Sequence, residues 1–173
     1  MRSVLVLGFG NPGRLDDGLG LAVVEEIAGH PGVVAEHDYQ LNIEHGALVA
    51  GFDTVVFVDA VVSGDEPCFF RRLMPRKAES FSSHVMRPES VLAFAGDGFG
   101  WDGAAYLLGV RGYEFNEYGE RLSEPALENL GAAVALLRRV LDGDDMEAMT
   151  TAGPLDDSAA ACNGGETCET ANT

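Results

Sequence analysis

Basic residues are scarce in this chain of 173 residues, in which 28 aspartates and glutamates stand against 11 lysines and arginines. The formal net charge at pH 7 is therefore −17. Proteins that bind nucleic acids or anionic membranes neutralise phosphate groups with lysine and arginine side chains. The excess of acid argues against both classes of partner, and we expect neither a nucleic acid nor a membrane as a ligand.

Long hydrophobic runs and paired cysteines are missing as well. No apolar run approaches the roughly 20 residues of a membrane-spanning helix, and the apolar run at the N-terminus is too short for a signal peptide. The three cysteines, Cys68, Cys162 and Cys168, form no C-x-x-C pair. An odd number of unpaired cysteines suits a reducing compartment. The sequence therefore predicts a cytoplasmic protein with neither a disulfide framework nor a zinc finger.

The C-terminal part of the chain differs in composition from the rest. Residues 142–173 contain eight acidic residues and no basic residue, and they show no repeating apolar face. Segments of this composition cannot bury enough apolar surface to fold. We predict one α/β domain over residues 1–142 and an acidic, disordered tail over residues 143–173.

Short apolar runs alternate with amphipathic segments through the predicted domain. Runs rich in β-branched and aromatic residues predict strands, and apolar residues spaced by three and four predict helices. The alternation is typical of a mainly parallel, twisted sheet covered by helices on both faces. We predict a three-layer α/β fold with about five strands. The predicted strands are residues 3–7, 33–39, 54–60, 69–73 (an edge strand) and 104–110, and the predicted helices start near Asp16 or Asp17, near residue 44, at Pro88 and after Ser123.

The last of these helices has the clearest pattern. Ser123 is a typical N-cap residue, and Gly143 suits the end of the helix. Between them, apolar residues recur at alternating spacings of three and four, which predicts one buried face. The predicted face consists of Leu127, Leu130, Val134, Leu137 and Leu141.

A glycine-rich turn follows the first predicted strand. Gly8, Gly10 and Gly13 satisfy the G-x-G-x-x-G pattern of dinucleotide-binding proteins, in which the glycines let the backbone approach a pyrophosphate. Pro12 removes a backbone N–H from this turn, and Asp17 would place a carboxylate near a bound phosphate. The sequence favours a tight turn at a strand end, with an NAD-type nucleotide-binding module as the alternative.

Two aspartates and a histidine form a second candidate site. Asp17 follows the first predicted strand, Asp59 ends the third, and His84 lies in a later loop. Ligands collect beyond the carboxyl ends of parallel strands, where loops distant in sequence become neighbours. Two carboxylates and an imidazole can hold a divalent transition metal with positions left open for a substrate. The spacing alone favours a plainer interpretation, in which these are a helix cap, a turn residue and an ordinary loop histidine.

Four segments taken together resemble the hydrogenase maturation endopeptidase family. They are residues 7–20 (LGFGNPGRLDDGLG), residues 56–60 (VFVDA), the pair Ser83-His84 and residues 108–112 (LGVRG). Members of this family remove a short C-terminal extension from the large subunit of a [NiFe] hydrogenase after nickel has been inserted. The resemblance covers residues 1–141, and it implies that this chain is an endopeptidase whose partner is a large-subunit precursor.

The resemblance also assigns roles to the second candidate site. Asp17, Asp59 and His84 match the metal-contacting residues of the family, which makes them the predicted catalytic residues and metal ligands. The first position is often glutamate in the family, and Asp17 keeps the carboxylate on a shorter arm. The family binds the nickel of its substrate, so we expect no cofactor of the protein's own, although another divalent ion such as cadmium can occupy the site.

Several other interpretations are weighed against this one. The chain has no Ser-His-Asp order, no H-E-x-x-H motif and no papain-type cysteine, which disfavours ordinary serine, zinc and cysteine proteases. The turn at residues 10–13 also resembles peptidyl-tRNA hydrolases, but their following Thr-Arg-His-Asn run is missing, and so acidic a protein is a poor tRNA ligand. A noncatalytic partner that senses metal loading is a third alternative. The basic cluster at residues 71–77 suits a solvated loop better than a precursor contact.

Overall fold

The computed structural model describes residues 3–77 and 86–151, which form a five-stranded sheet and four α-helices. None of the helices in these two ranges is long and apolar enough to cross a bilayer. The elements in chain order are β1 (Val4–Phe9), a 3-10 turn (Leu15–Gly18), α1 (Leu19–Ile27), β2 (Val33–Asp38), α2 (Glu44–Val49), β3 (Thr54–Val61), β4 (Cys68–Leu73), α3 (Pro88–Phe99), β5 (Ala104–Arg111) and α4 (Glu124–Asp142).

The sheet is mainly parallel, as predicted. Its strand order is β2-β1-β3-β5-β4, and only β4 runs antiparallel, at the edge beside β5. After β1 the chain crosses to β2 on one side, and it then returns to β3 on the other side of β1. The order of strands therefore reverses between β1 and β3, and in open α/β sheets the crevice at such a point is the usual ligand site.

Helices cover both faces of the sheet, which confirms the predicted three layers. One core lies under α1 and α4, where alternate sheet residues such as Val6, Val56 and Leu108 are fully buried. The other core lies under α2 and α3 and is built from the intervening residues, such as Phe57. Side chains alternate between faces along a strand, so Asp59 extends from the α2 and α3 side of β3.

Two helices differ from their predicted forms. The first α-helix begins at Leu19, because Leu15–Gly18 form a tighter 3-10 turn that contains both aspartates. In α4 the cap at Ser123 is confirmed, since its side chain accepts a hydrogen bond from the N–H of Ala126. Leu127 is 51% exposed, however, because the buried stripe is shifted towards small residues that let α4 lie close to the sheet. The buried residues of α4 are Ala126, Asn129, Ala133, Val134, Leu137 and Val140.

The contacts of the domain extend beyond the predicted boundary at residue 142. Met146 and Met149 pack against the core under α4. Glu147 accepts a hydrogen bond of 2.8 Å from the Tyr106 hydroxyl. Thr151 pairs with the open edge of β4, since its N–H donates to the carbonyl of Phe70 at 2.7 Å and its hydroxyl oxygen accepts from the N–H of Phe70 at 3.2 Å. Residues 144–151 thus cover the edge strand, and residues 152–173 lie outside the described part of the chain.

Candidate active site at the carboxyl edge of the sheet

Asp17 and Asp59 flank the point where the strand order reverses. Asp17 lies in the 3-10 turn that follows β1, and it is only 9% exposed. Asp59 lies two residues before the end of β3, where it pairs in register with Gly109 of β5. The expectation that both acids lie at the carboxyl edge of the sheet is therefore confirmed for their positions.

The charge of Asp17 lies close enough to Asp59 to affect the ionisation of the Asp59 carboxyl. Burial raises the pKa of the Asp59 carboxyl well above its ordinary value, and the negative charge of Asp17 raises it further. Burial also raises the pKa of Asp17, against the opposing effects of the Asn11 N–H and the charges of Arg14 and His37. Two carboxyls with raised pKa values hold their negative charge at a cost in free energy. A bound cation removes that cost, since it takes the place of the proton.

The glycine-rich turn is folded around Asp17. Gly10 has a φ of +130°, and a Cβ at this position would collide with the carbonyl oxygen of Asp17. The N–H of Asn11 donates a hydrogen bond of 2.8 Å to Oδ2 of Asp17. The turn therefore fixes the position of this carboxylate, which explains why a glycine is needed at residue 10.

The same turn is unsuited to a phosphate group. A dinucleotide-binding turn presents free backbone N–H groups to a pyrophosphate. Here the N–H of Gly10 donates to the carbonyl of Asp38, that of Asn11 to Asp17, and those of Gly13 and Arg14 to the side chain and the carbonyl of Asn11. These donors are satisfied inside the protein, and the carboxylate of Asp17 accepts the N–H of Asn11 that a phosphate would need. The geometry therefore argues against the nucleotide-binding alternative.

Asp16, the neighbour of Asp17, has a structural role. It is fully buried, and its carboxylate accepts hydrogen bonds from the backbone N–H groups of Tyr113, Glu114 and Ser123 and from the Ser123 hydroxyl, all at 2.7–2.9 Å. Burial alone would raise the pKa of Asp16, but these four bonds outweigh it and lower the pKa. Asp16 therefore joins the loop after β5 to the turn that carries Asp17.

His37 is the residue near the site that the sequence did not single out. His37 is the last residue but one of β2, and it pairs in register with Gly8 of β1. Burial lowers the pKa of its imidazole, whereas the backbone of Gly10 and the charges of Asp38, Glu25 and Asp17 raise it. Its Nε2 atom is buried and has no hydrogen-bond partner among the described residues. The sequence carries no signal for this placement, because only the pairing of β1 with β2 brings His37 towards Asp17.

His84 lies outside the described residues. Within residues 3–77 and 86–151, no three His, Cys, Asp or Glu side chains come together as a metal site. The nearest described residue on its C-terminal side is Met86, whose N–H donates a hydrogen bond of 3.2 Å to the carbonyl of Leu41. Leu41 belongs to the loop after β2, so the chain passes the carboxyl edge of the sheet at Met86.

The remaining candidate residues have structural explanations. Burial raises the pKa of the Cys68 thiol to about 11, so this cysteine stays protonated at neutral pH and is a poor nucleophile. His45 is buried, and its Nδ1 accepts a hydrogen bond from the N–H of Asn42. In the basic cluster, Arg72 pairs with Glu147, and Lys77 pairs with Asp97 at 2.9 Å. Acidic partners within the domain thus engage bases that would otherwise be available to a precursor.

Taken together, the fold and the acids define a three-layer α/β protein with two carboxyls of raised pKa at the carboxyl edge of its sheet. No protein-family model matches the sequence, and a comparison with curated protein sequences also finds no match. Solved structures do match the fold, and several of them are hydrogenase maturation proteases.

The [NiFe] hydrogenase maturation protease HycI from Thermococcus kodakarensis KOD1 matches with a TM-score of 0.63 and 24% sequence identity, over 82% of this chain and 93% of that chain. The hydrogenase maturating endopeptidase HybD from E. coli matches with a TM-score of 0.63 and 21% identity, over 81% and 92% of the two chains. The hydrogenase 2 maturation peptidase from Thaumarchaeota archaeon SCGC_AB-539-E09 matches with a TM-score of 0.59 and 24% identity, over 81% of this chain and 98% of that chain. This chain thus has the fold of the family that its motifs resemble.

Proposed function

We propose that this chain is an endopeptidase that removes the C-terminal extension of a nickel-loaded [NiFe] hydrogenase large-subunit precursor. The observation that carries the proposal is the pair of carboxylates, Asp17 and Asp59, at the point where the strand order reverses. The negative charge of Asp17 disfavours the ionised form of Asp59. The family motifs fall on this pair, and the shared fold supports the same assignment.

In this proposal Asp17, Asp59 and His84 bind the nickel of the precursor. Carboxylate oxygens and imidazole nitrogens suit a borderline divalent ion. Met86 stands two residues after His84 in the sequence, and its contact with Leu41 at the carboxyl edge supports this assignment. Because the metal arrives with the substrate, an unloaded precursor lacks the contact that docks it. Nickel loading thereby becomes a condition for cleavage.

The bound ion has two ways to promote hydrolysis. It can polarise the carbonyl of the scissile bond, or it can lower the pKa of an attacking water. In either case the proton of the water needs an acceptor, and a carboxylate is suited to that role. The cation would therefore supply Lewis acidity, and the protein would supply its ligands and the base.

The direct test is cleavage of a purified nickel-loaded precursor, followed by mass spectrometry. We expect Asp17→Ala, Asp59→Ala and His84→Ala each to lower kcat/KM about a hundredfold or more. Asp53→Ala is the matched control, since Asp53 is an exposed aspartate at the opposite edge whose carboxylate accepts hydrogen bonds from the N–H and the hydroxyl of Ser3. Full processing by all three site variants contradicts the proposal. Binding without any cleavage identifies a noncatalytic sensor of metal loading instead.

A thermal-shift titration separates the proposal from the nucleotide-binding alternative. A ligand that binds only the native state raises the unfolding temperature. We expect Ni²⁺ or Cd²⁺ to stabilise the protein and NAD or NADP to have no effect. The Asp59→Asn variant is expected to lose the response to the metals, because it lacks one of the two carboxylates. Stabilisation by NAD or NADP alone supports the alternative.

A further inference from the structure

Exposed apolar side chains gather at the edge of the sheet that carries Asp17 and Asp59. Nine large hydrophobic side chains are exposed among the described residues, and five of them lie in loops that follow the carboxyl ends of β2, β3 and β5. Single exposed hydrophobic residues are normal on a protein surface, but a concentration of them marks an interaction site. We name these five residues the tyrosine rim: Tyr39, Ile43, Val62, Tyr113 and Tyr118.

The other four exposed residues form no comparable group. Met74, which follows the antiparallel β4, and Phe99, the last residue of α3, lie at the opposite edge of the sheet. Val34 is on the edge strand β2, and Leu127 is on α4. The apolar exposure is therefore concentrated at the edge where the candidate active site lies.

The rim flanks the carboxylates on two sides. Tyr39 and Ile43 follow β2, whereas Tyr113 and Tyr118 follow β5, and β1 and β3 lie between these two strands. Neighbouring strands are about 4.8 Å apart, so β2 and β5 are separated by about 14 Å. An extended peptide rises about 3.3 Å per residue, and four to five of its residues bridge that distance. A segment laid across the edge would pass the carboxylates between its two ends.

The tyrosines differ in how firmly they are held. The hydroxyl of Tyr113 donates to Glu66 at 2.7 Å and accepts from Asn129 at 3.0 Å, which fixes the ring in one position. Tyr39 and Tyr118 are 62% and 91% exposed. Tyrosine gives large contact area at a low cost in side-chain entropy, and it is enriched among the residues that dominate binding energy. Tyr113 therefore provides a fixed platform, and the two exposed rings are available as anchors.

The charge around the rim selects the partner. Acidic residues outnumber basic ones in the loops after β3 and β5, where Glu117 and Glu120 are exposed, and Glu44, the first residue of α2, is exposed as well. Two of the nearby bases are engaged, because Arg121 pairs with Glu114 at 2.7 Å and Arg111 stacks on the ring of Tyr113. The whole chain carries a charge of −17. A partner with lysine or arginine complements this surface, and an acidic partner is repelled by it.

We infer that the tyrosine rim binds an extended peptide segment that contains both basic and apolar side chains and that lies across the two carboxylates. The inference rests on the proposed function, since the segment is then the part of the precursor next to the scissile bond. The apolar side chains contact Tyr39 and Tyr118, and the basic side chains contact the surrounding acids.

The binding test uses a fluorescein-labelled six-residue peptide of alternating leucine and lysine, with anisotropy measured on the full chain. We expect saturable binding that weakens with added salt and that falls about tenfold in Tyr39→Ala and in Tyr118→Ala. Phe99→Ala is the matched control, because Phe99 is also an exposed aromatic residue and lies at the opposite edge. The same peptide with glutamate in place of lysine is expected not to bind. Equal binding of both peptides, or an equal loss in Phe99→Ala, overturns the inference.

A second measurement separates this inference from the proposed function. With the nickel-loaded precursor, loss of a docking contact raises KM and leaves kcat unchanged, so we expect that pattern in Tyr39→Ala and Tyr118→Ala. If the wild type cleaves and both variants keep its KM, the inference about the tyrosine rim is wrong and the proposed function stands. If the wild type does not cleave but the lysine peptide still binds through the two tyrosines, the proposed function fails and the rim stands.

Discussion

The Ser123 hydroxyl donates a hydrogen bond of 2.7 Å to Oδ2 of Asp16, across 107 residues of sequence. The N–H of Ser123 also donates to the other carboxylate oxygen of Asp16, at 2.8 Å. Ser123 caps α4 at the same time. One serine thus joins the start of the last helix to the turn that carries Asp17, and the loop between β5 and α4 is held against the candidate active site.

We predict that Asp16→Asn lowers the free energy of unfolding by about 3 kcal/mol, because an amide has one acceptor oxygen and leaves buried donors unsatisfied. Urea denaturation measures the change. Asp53→Asn is the control, since the carboxylate of Asp53 is exposed and only small effects are expected there. A loss in Asp16→Asn no larger than that of the control would show that the four hydrogen bonds to Asp16 contribute little.

The ionisation of Asp16 also predicts a pH dependence. Its pKa is lowered from the ordinary value of 3.8 by folding. A lowered pKa contributes stability that is present above the unfolded value and is lost as the pH falls through the folded one. We therefore expect the wild type to lose more stability than Asp16→Asn when the pH is lowered from 5 to below about 3, as measured by urea denaturation at each pH.

Asp59 is predicted to have the opposite effect on stability. Its pKa is raised by folding, so the native state holds a proton that the unfolded state has lost. The stability that depends on this group is present below about pH 4 and is lost as the pH rises towards the raised value. The Asp59→Asn variant has no carboxyl that ionises at this position and therefore does not lose this stability as the pH rises. We expect it to unfold at a higher temperature than the wild type at pH 7. The difference is expected to vanish near pH 4.

A control and a coupled variant sharpen this test. Asp102→Asn is the control for the loss of one negative charge, because Asp102 is an exposed aspartate at the opposite edge. Asp17→Asn removes the charge that raises the pKa of Asp59. Carbon-13 NMR titration of the Asp59 carboxyl is expected to show a lower pKa in that variant. An unchanged titration would mean that the two carboxylates do not interact.

Gly20 holds the start of α1 against β1 and β3. A Cβ at this position would lie 2.5 Å from the carbonyl oxygen of Phe9 and 3.0 Å from that of Val58. Both contacts are backbone atoms, which cannot move aside, so we expect Gly20→Ala to cost about 3 kcal/mol and to displace the turn that carries Asp17. Gly131→Ala is the control, since a Cβ at residue 131 of α4 meets nothing within 4 Å. That substitution is expected to stabilise the helix by about 1 kcal/mol, and thermal unfolding distinguishes the two.

The segment over residues 144–151 is predicted to stabilise the sheet. A chain that ends at residue 143 loses the pairing of Thr151 with Phe70 and the packing of Met149, and it exposes the edge of β4. We expect such a chain to unfold at lower urea concentration than one that ends at residue 151, and to aggregate more readily through its open edge. Equal unfolding midpoints and equal solubility would show that the covering segment is dispensable.

Much of the fold was predictable because the signals are local. Each buried parallel strand forms a continuous apolar run such as residues 54–58, and Ser123 marks a helix start by its own chemistry. The buried face of α4 was predicted less well, because leucines at several positions satisfy the same spacing. The tertiary structure selects the stripe that includes Ala126 and Ala133, and it leaves Leu127 exposed.

The sequence by itself determined the α/β class, the glycine turn after β1 and the identity of the acids that follow the parallel strands, since these depend on residue types and short spacings. Only the tertiary structure decided the different roles of the neighbours Asp16 and Asp17. The carboxylate of Asp16 accepts four hydrogen bonds from a distant loop, whereas the charge of Asp17 acts on Asp59. The tertiary structure also brought His37 towards Asp17. The reason is physical, because strand pairing and the path of the loops, which no local pattern encodes, set the distances between these charges.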